Sequence, residues 1–241
     1  MKQARRKKRL WILPALLLVL SAGFLLYTAV YYRADQTALD ALRSDEGVQI
    51  TEKDYGWFFD GPSQTRALIF YPGGKVEETA YAPLLRLIAE QGTDVCLVKM
   101  PLRLAVLAPD RADMVLAEHD YESWFIGGHS LGGAMAANYA AGHPEKLRGL
   151  VLLAAYPTRA LDPGLQVLSL YGTEDGVLNR KKLAEGEQYF PESVQICEIP
   201  GGNHAQFGSY GAQRGDGAAL ISPQEQWAET AALLRELPDP A

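Results

Sequence analysis

A serine, two adjacent acids and a histidine stand in this chain at spacings that suit acyl transfer. Residues 124–143 read WFIGGHSLGGAMAANYAAGH. An apolar run ends in glycines, a serine follows, and an alanine-rich helical pattern comes after it. Gly128 to Gly132 has the form G-x-S-x-G, in which a serine on a sharp strand-to-helix turn exposes its hydroxyl as a nucleophile. Five residues of this kind arise by accident, and a glycine bend that only packs a helix onto a strand reads the same way. The flanks favour the nucleophile, because WFIGG reads as a strand and GGAMAANYAAG as a helix. Glycines two before and two after Ser130 remove the Cβ atoms that would collide in such a turn.

A serine hydroxyl needs a base, and the base needs an orienting acid. In a strand–turn–helix setting these follow in the order Ser, acid, His. Of the four histidines, His119 precedes the serine, His129 lies within the turn, and His143 ends the following helix. His204, in IPGGNHAQFG, is the one far enough downstream to follow an acid from a later strand. QVLSLYGTEDGV supplies Glu174 and Asp175, with Asp162 a weaker third choice. Either acid of the pair can equally be a solvated turn residue. The oxyanion that forms on attack needs two N–H donors. One is expected from Leu131, directly after the serine, and a second from the loop IFYPGGKVEETAY, where Gly74 or Lys75 can donate.

The elements that must carry these residues are legible as an alternation. ALIFYP, DVCLVKM, WFIGG, LVLLAAYP, QVLSLYG and VQICEI are short, continuously apolar runs, as expected of parallel strands buried on both faces. Helical patterns lie between most of them, including Tyr81, Leu84, Leu85 and Ile88 at i, i+3, i+4, i+7, and SPQEQWAETAALLREL with Ser222 as N-cap. VQITEK and YGWFFDG read as a preceding strand pair. Strand and helix in turn predict an α/β fold, a mostly parallel sheet with helices on both faces. Between Pro157 and Leu165 there is no room for a helix, so no lid is inserted there.

The N-terminus sets up a further expectation. MKQARRKKRL holds six of the 23 Lys and Arg residues, and residues 10–32 carry no charge. Four parts are predicted: a basic cytoplasmic tail (1–9), a transmembrane signal-anchor helix (10–32), a juxtamembrane stalk (33–47) and a catalytic domain (48–241) outside the cytoplasm. A signal peptide cut near SAG (21–23) is the rival, disfavoured because FLLYTAV continues the apolar run. Beyond the tail, 17 cations face 29 anions, which argues against nucleic acid as a partner. Cys96 and Cys197 lie in apolar runs and read as small buried hydrophobes. No Cys/His cluster has zinc spacing, and no metal or cofactor is expected.

YPGGKV, VKMPL, GGHSLGG, YGTEDG and GGNHAQFGSYG together resemble the α/β-hydrolase fold superfamily, and most of all a membrane-anchored bacterial subgroup related to dienelactone hydrolases. The resemblance spans residues 50–236. It implies that Asp175, rather than Glu174, is the acid and His204 the base. One departure is plain: dienelactone hydrolases proper use a cysteine where this chain has Ser130. The resulting expectation is a membrane-anchored extracytoplasmic serine hydrolase acting on an ester, thioester or amide, small and soluble or presented at a surface. Its rival is a non-catalytic protein of the same fold that binds a ligand or partner. The Arg-Gly-Asp at 214–216 reads as an accident within a glycine-rich loop that shapes one wall of the site.

Overall fold

The computed structural model describes residues 2–62 and 65–238, with side chains from residue 14 onward. The chain divides between residues 31 and 32 into two units. The first holds helix α1 (Lys2–Ala29), with Pro14 inside it. Among the described residues no helix is long and apolar enough to cross a membrane. The anchor expected over 10–32 is therefore set aside. The extracytoplasmic placement and the membrane partner that depended on it go with it.

The second unit begins where a stalk was expected, and the segment is folded rather than extended. Helix α2 (Gln36–Asp40) is capped by Asp35, buries Ala38 completely, and belongs to the same compact unit as the sheet. Asp35 also accepts a hydrogen bond from Ser209 Oγ at 2.8 Å. Next come β1 (Gln49–Lys53) and β2 (Gly56–Asp60), β3 (Arg66–Tyr71), helix α3 (Ala82–Glu90) and β4 (Asp94–Val98). Helix α4 (Ala112–Glu118), β5 (Ser123–His129), helix α5 (Leu131–Gly142) and β6 (Gly149–Leu153) follow. The chain then runs through β7 (Gln166–Gly172), helix α6 (Arg180–Gly186), β8 (Gln195–Ile199) and helix α7 (Pro223–Arg235).

The eight strands form one sheet in the order β1-β2-β4-β3-β5-β6-β7-β8. β2 is antiparallel to both β1 and β4, and every pairing from β4 to β8 is parallel. Side chains alternate across each strand, so the continuous apolar runs feed two cores. Leu68, Phe70 and Phe125 pack on the side of Leu84, Leu85 and Trp227 from α3 and α7. Ile69, Tyr71 and Ile126 pack on the other side with Ala136, Ala140 and Val115 from α5 and α4. Every residue of β3, β4, β5 and β6 is buried, as suits largely apolar strands covered on both faces, and the polar Arg66, Asp94, Ser123 and His129 at their ends are buried with them. β8 is an edge strand and is mostly exposed, so Cys197 is half-buried, whereas Cys96 in β4 is fully buried; both are free thiols. Residues 154–165, between β6 and β7, carry no helix.

The C-terminal helix starts as its sequence dictates. Ser222 Oγ accepts from the Glu225 N–H and the Glu225 carboxylate accepts from the Ser222 N–H, a reciprocal capping box with Pro223 in the first turn. α7 thereby places Gln226 and Trp227, whose polar ends reach the loop that follows β8.

Candidate active site

Ser130 sits between β5 and α5 with φ 52° and ψ −121°, outside the regions an L-residue normally occupies. Its own N–H donates to the Leu153 carbonyl at 2.9 Å, and its carbonyl accepts from Ala134 at 3.0 Å. The tight turn is possible because of the neighbouring glycines. A Cβ on Gly128 would lie 2.5 Å from the Tyr71 carbonyl oxygen, and one on Gly132 would lie 2.2 Å from the same atom. The strain is thus held in place by the β3 and β6 backbones on either side.

Asp175 and His204 come from the turns after β7 and β8. His204 Nδ1 donates to Asp175 Oδ2 at 2.8 Å, and both side chains are essentially inaccessible to solvent. Asp175 Oδ1 accepts from the N–H groups of Val177 (2.8 Å) and Leu178 (2.7 Å). Burial alone opposes ionisation of Asp175. The hydrogen bond and charge of His204, with the Leu178 and Val177 N–H groups, outweigh burial and hold the carboxyl below its ordinary range. With its proton on Nδ1, His204 presents Nε2 as an acceptor, and that buried atom has no protein partner. Glu174 does not reach the imidazole; its carboxylate accepts from the Thr173 hydroxyl at 3.0 Å. Asp162 is bound to the N–H of Gly164 in the exposed loop before β7.

The loop after β3 is tied down on both sides of Gly74. The Gly73 N–H donates to Tyr81 Oη at 3.0 Å, and the Lys75 N–H donates to the Arg103 carbonyl at 2.9 Å. The Lys75 N–H is therefore already engaged. Gly74 packs directly against the Leu131 side chain, and the Leu131 N–H is the first of helix α5, where amides lack intrahelical partners.

Pattern reading missed one connection. Tyr81 Oη lies 2.8 Å from His129 Nδ1 while accepting from Gly73. Burial pushes the Tyr81 hydroxyl up, so it stays protonated and donates to His129. Burial, and then the charge of His204, hold His129 well below its ordinary pKa, so its ring is neutral. The His129 and His204 rings lie 4.4 Å apart between centroids. One chain of contacts thus joins the Gly74 loop, the turn around Ser130 and the His204 ring. Tyr81 was legible only as the first position of an apolar helical stripe, because its hydroxyl partner is 48 residues away.

Ser130, Leu131 and His204 line one cavity of about 660 Å³. Ala134, Ala154, Ala155, Val177 and Leu178 make its wall apolar, and the exposed Asn179, Lys182 and Gln188 make its rim polar. The volume suits a small organic substrate. The arrangement brings a serine, an imidazole held by a carboxylate and the first residue of α5 to one space.

The profile of the Alpha/beta hydrolase family matches residues 67–228. No curated protein matches the chain. Among solved structures, a carboxyl esterase from the fungus Tuber melanosporum aligns with a TM-score of 0.60 at 11% identity, covering 86% of this chain and 91% of that one. A predicted hydrolase from Thermoplasma acidophilum aligns at 0.58 and 15% identity, covering 79% and 100%. A dienelactone hydrolase from Anabaena variabilis aligns at 0.57 and 14% identity, covering 80% and 97%. At these identities the likeness is one of fold. The family is supported, but the membrane-anchored subgroup expected from the motifs is not.

Proposed function

Because the chain belongs to the alpha/beta hydrolase family, we propose that it is a serine hydrolase that cleaves an ester, thioester or amide through an acyl-enzyme. Ser130 is the nucleophile, His204 the base and Asp175 the acid that orients it. The observation that carries this reading is the buried Asp175–His204 pair, whose unpartnered Nε2 belongs to a residue lining the same cavity as Ser130.

Nε2 takes the hydroxyl proton as Ser130 Oγ attacks the acyl carbon. Asp175 stabilises the imidazolium that results and keeps its tautomer. The Leu131 and Gly74 N–H groups receive the oxyanion, aided by the positive end of α5. The imidazolium then protonates the leaving group, and a water activated by His204 releases the acid. The apolar wall at Leu131, Ala134 and Ala154 favours an uncharged acyl portion, and the polar rim tolerates a hydrated leaving group.

A fluorophosphonate should label Ser130, Ser130→Ala should abolish labelling, and a p-nitrophenyl ester series of rising chain length should give turnover that the same variant removes. Absence of labelling and turnover in the folded wild-type chain would instead support the non-catalytic binding protein.

A further inference from the structure

We propose that Asp216 is a positioning residue of this active site, whose carboxylate fastens the turn carrying the acid to the turn carrying the base. This rests on the reading of Asp175 and His204 given above.

The parallel pairing of β7 with β8 fixes the roots of the two turns, ending at Gly172 opposite Ile199. Direct ties between the turns continue only a little further, with the Glu174 N–H donating to the Gly202 carbonyl at 2.9 Å and the Gly201 N–H to Thr173 Oγ1 at 2.8 Å, and Asp175 and His204 lie one and two residues beyond the first of them. The half-buried carboxylate of Asp216 spans the gap. Its Oδ1 accepts from the Gly176 N–H at 3.1 Å, next to the acid, and from the His204 N–H at 3.2 Å, on the base itself. Oδ1 also accepts from Gly217 at 2.9 Å, and Oδ2 accepts from Ala205 at 2.8 Å. An anion that gathers four amide donors from three chain segments holds them more firmly than neutral acceptors would.

The residues around Asp216 are the ones this contact requires. A Cβ on Gly217 would stand 2.0 Å from the Glu174 carbonyl oxygen, and one on Gly176 would stand 2.6 Å from that of Gly215. The 215–217 loop therefore meets the acid turn backbone against backbone, which only glycine permits on both sides. Asn203 adds a second tie through Nδ2, which donates to the Gly217 carbonyl at 2.8 Å. Asn203 is itself gripped by the buried Gln226 of α7, through its N–H and its carbonyl. The Asp of the Arg-Gly-Asp triplet thus faces inward on the catalytic turns. Its role is internal, and the triplet is not presented as an adhesion motif.

The test compares Asp216→Ala, Asp216→Asn and Arg214→Ala in the full chain. Asn keeps the shape but removes the charge and, where its amide nitrogen replaces Oδ2, sets a donor against the Ala205 N–H. Asp216→Ala should lower kcat about 100-fold, the scale of a small misplacement of a catalytic group. KM should change less than threefold, and the rate of fluorophosphonate labelling should fall in step with kcat. Asp216→Asn should fall between Ala and wild type, and Arg214→Ala should match wild type. The far-downfield proton resonance of the His204–Asp175 hydrogen bond, which needs no turnover, should broaden or move in both Asp216 variants and stay in place in Arg214→Ala. Asp216 variants with wild-type kcat and an unmoved resonance would overturn the proposal. A moved resonance in a protein whose wild type neither labels nor turns over would refute the hydrolase reading while leaving the clamp standing. If Asp216→Ala fails to fold, the resonance and kcat of Asp216→Asn decide the matter.

Discussion

Replacing Asp175 by Asn changes one atom of the buried pair, and the geometry dictates the outcome. Asp175 uses both oxygens: Oδ1 holds the Val177 and Leu178 amides, and Oδ2 holds His204 Nδ1. An amide has one oxygen for these two tasks. If it stays on Val177 and Leu178, its NH2 faces Nδ1, and the imidazole must move its proton to Nε2. The base nitrogen is then a donor and cannot accept from Ser130. If the amide turns round, two buried N–H groups lose their acceptor at about 1–3 kcal/mol each, so the first orientation prevails. The consequence should be a fall in kcat of up to about 10⁴-fold, the size seen where an aspartate-to-asparagine change leaves a triad histidine in the wrong tautomer. KM for a p-nitrophenyl ester should change little. Glu174→Gln should behave as wild type, because its partner is the Thr173 hydroxyl. Kinetics of both variants, with thermal melts to show that each is folded, make the test. An Asp175→Asn enzyme within tenfold of wild type, or a Glu174→Gln enzyme that is the crippled one, would refute the tautomer argument.

Tyr81→Phe removes the hydroxyl shared by Gly73 and His129 in a buried setting. It should cost about 1–3 kcal/mol in denaturant melts and lower kcat more than it raises KM, because the loop that carries the proposed Gly74 donor loses its anchor; unchanged stability would mean that the hydroxyl contacts are idle. Asp94 is pushed up to about 6, by burial first, although the Tyr121 hydroxyl and the Gly61 N–H oppose the rise. A carboxyl with a raised folded pKa stabilises the fold while protonated, and that contribution is lost as pH rises through about 6. Asp94→Asn should therefore melt higher than wild type at pH 8, by about 3 kcal/mol at most. The gap should close by pH 4, and a difference independent of pH would show that Asp94 is not the titrating group.

The serine turn was legible because it is local: strand, glycines, serine and helix lie within twenty residues of sequence. His204, which meets Asp175 in the fold, was legible as the candidate base by chain order, since one histidine lies far enough downstream. Choosing between Glu174 and Asp175 from the residues alone was beyond pattern reading. Adjacent residues in a turn point in different directions, and only the path of the backbone decides which meets the imidazole. Asp216 and Tyr81 were hidden for the same reason at longer range. Their partners come from separate strands, and nothing in GAQRGDG or ETAY marks a side chain that turns inward. The apolar run at residues 10–32 shows how composition overreaches. A lack of charge reads as an anchor, yet among the described residues no helix is long and apolar enough to cross a membrane. VQICEI misled in a smaller way, because apolar content does not reveal that a strand lies at the edge of its sheet.

The helix-free crossing at residues 154–165 separates the chain into two chemical halves. On the proposed reading, everything before it supplies the nucleophile and both amide donors, and everything after it supplies acid, base and the carboxylate that ties their turns. The exposed stretch Thr158–Ala160 lies at the seam. The proposed machinery is therefore bipartite along the gene, and on that reading neither half would be chemically competent alone. Across the seam, β6 and β7 still pair from Gly149 opposite Gln166 to Leu153 opposite Leu170, so reunion of the halves is a matter of strand recognition. A split at this position would make hydrolysis a readout of whether two polypeptides have found each other.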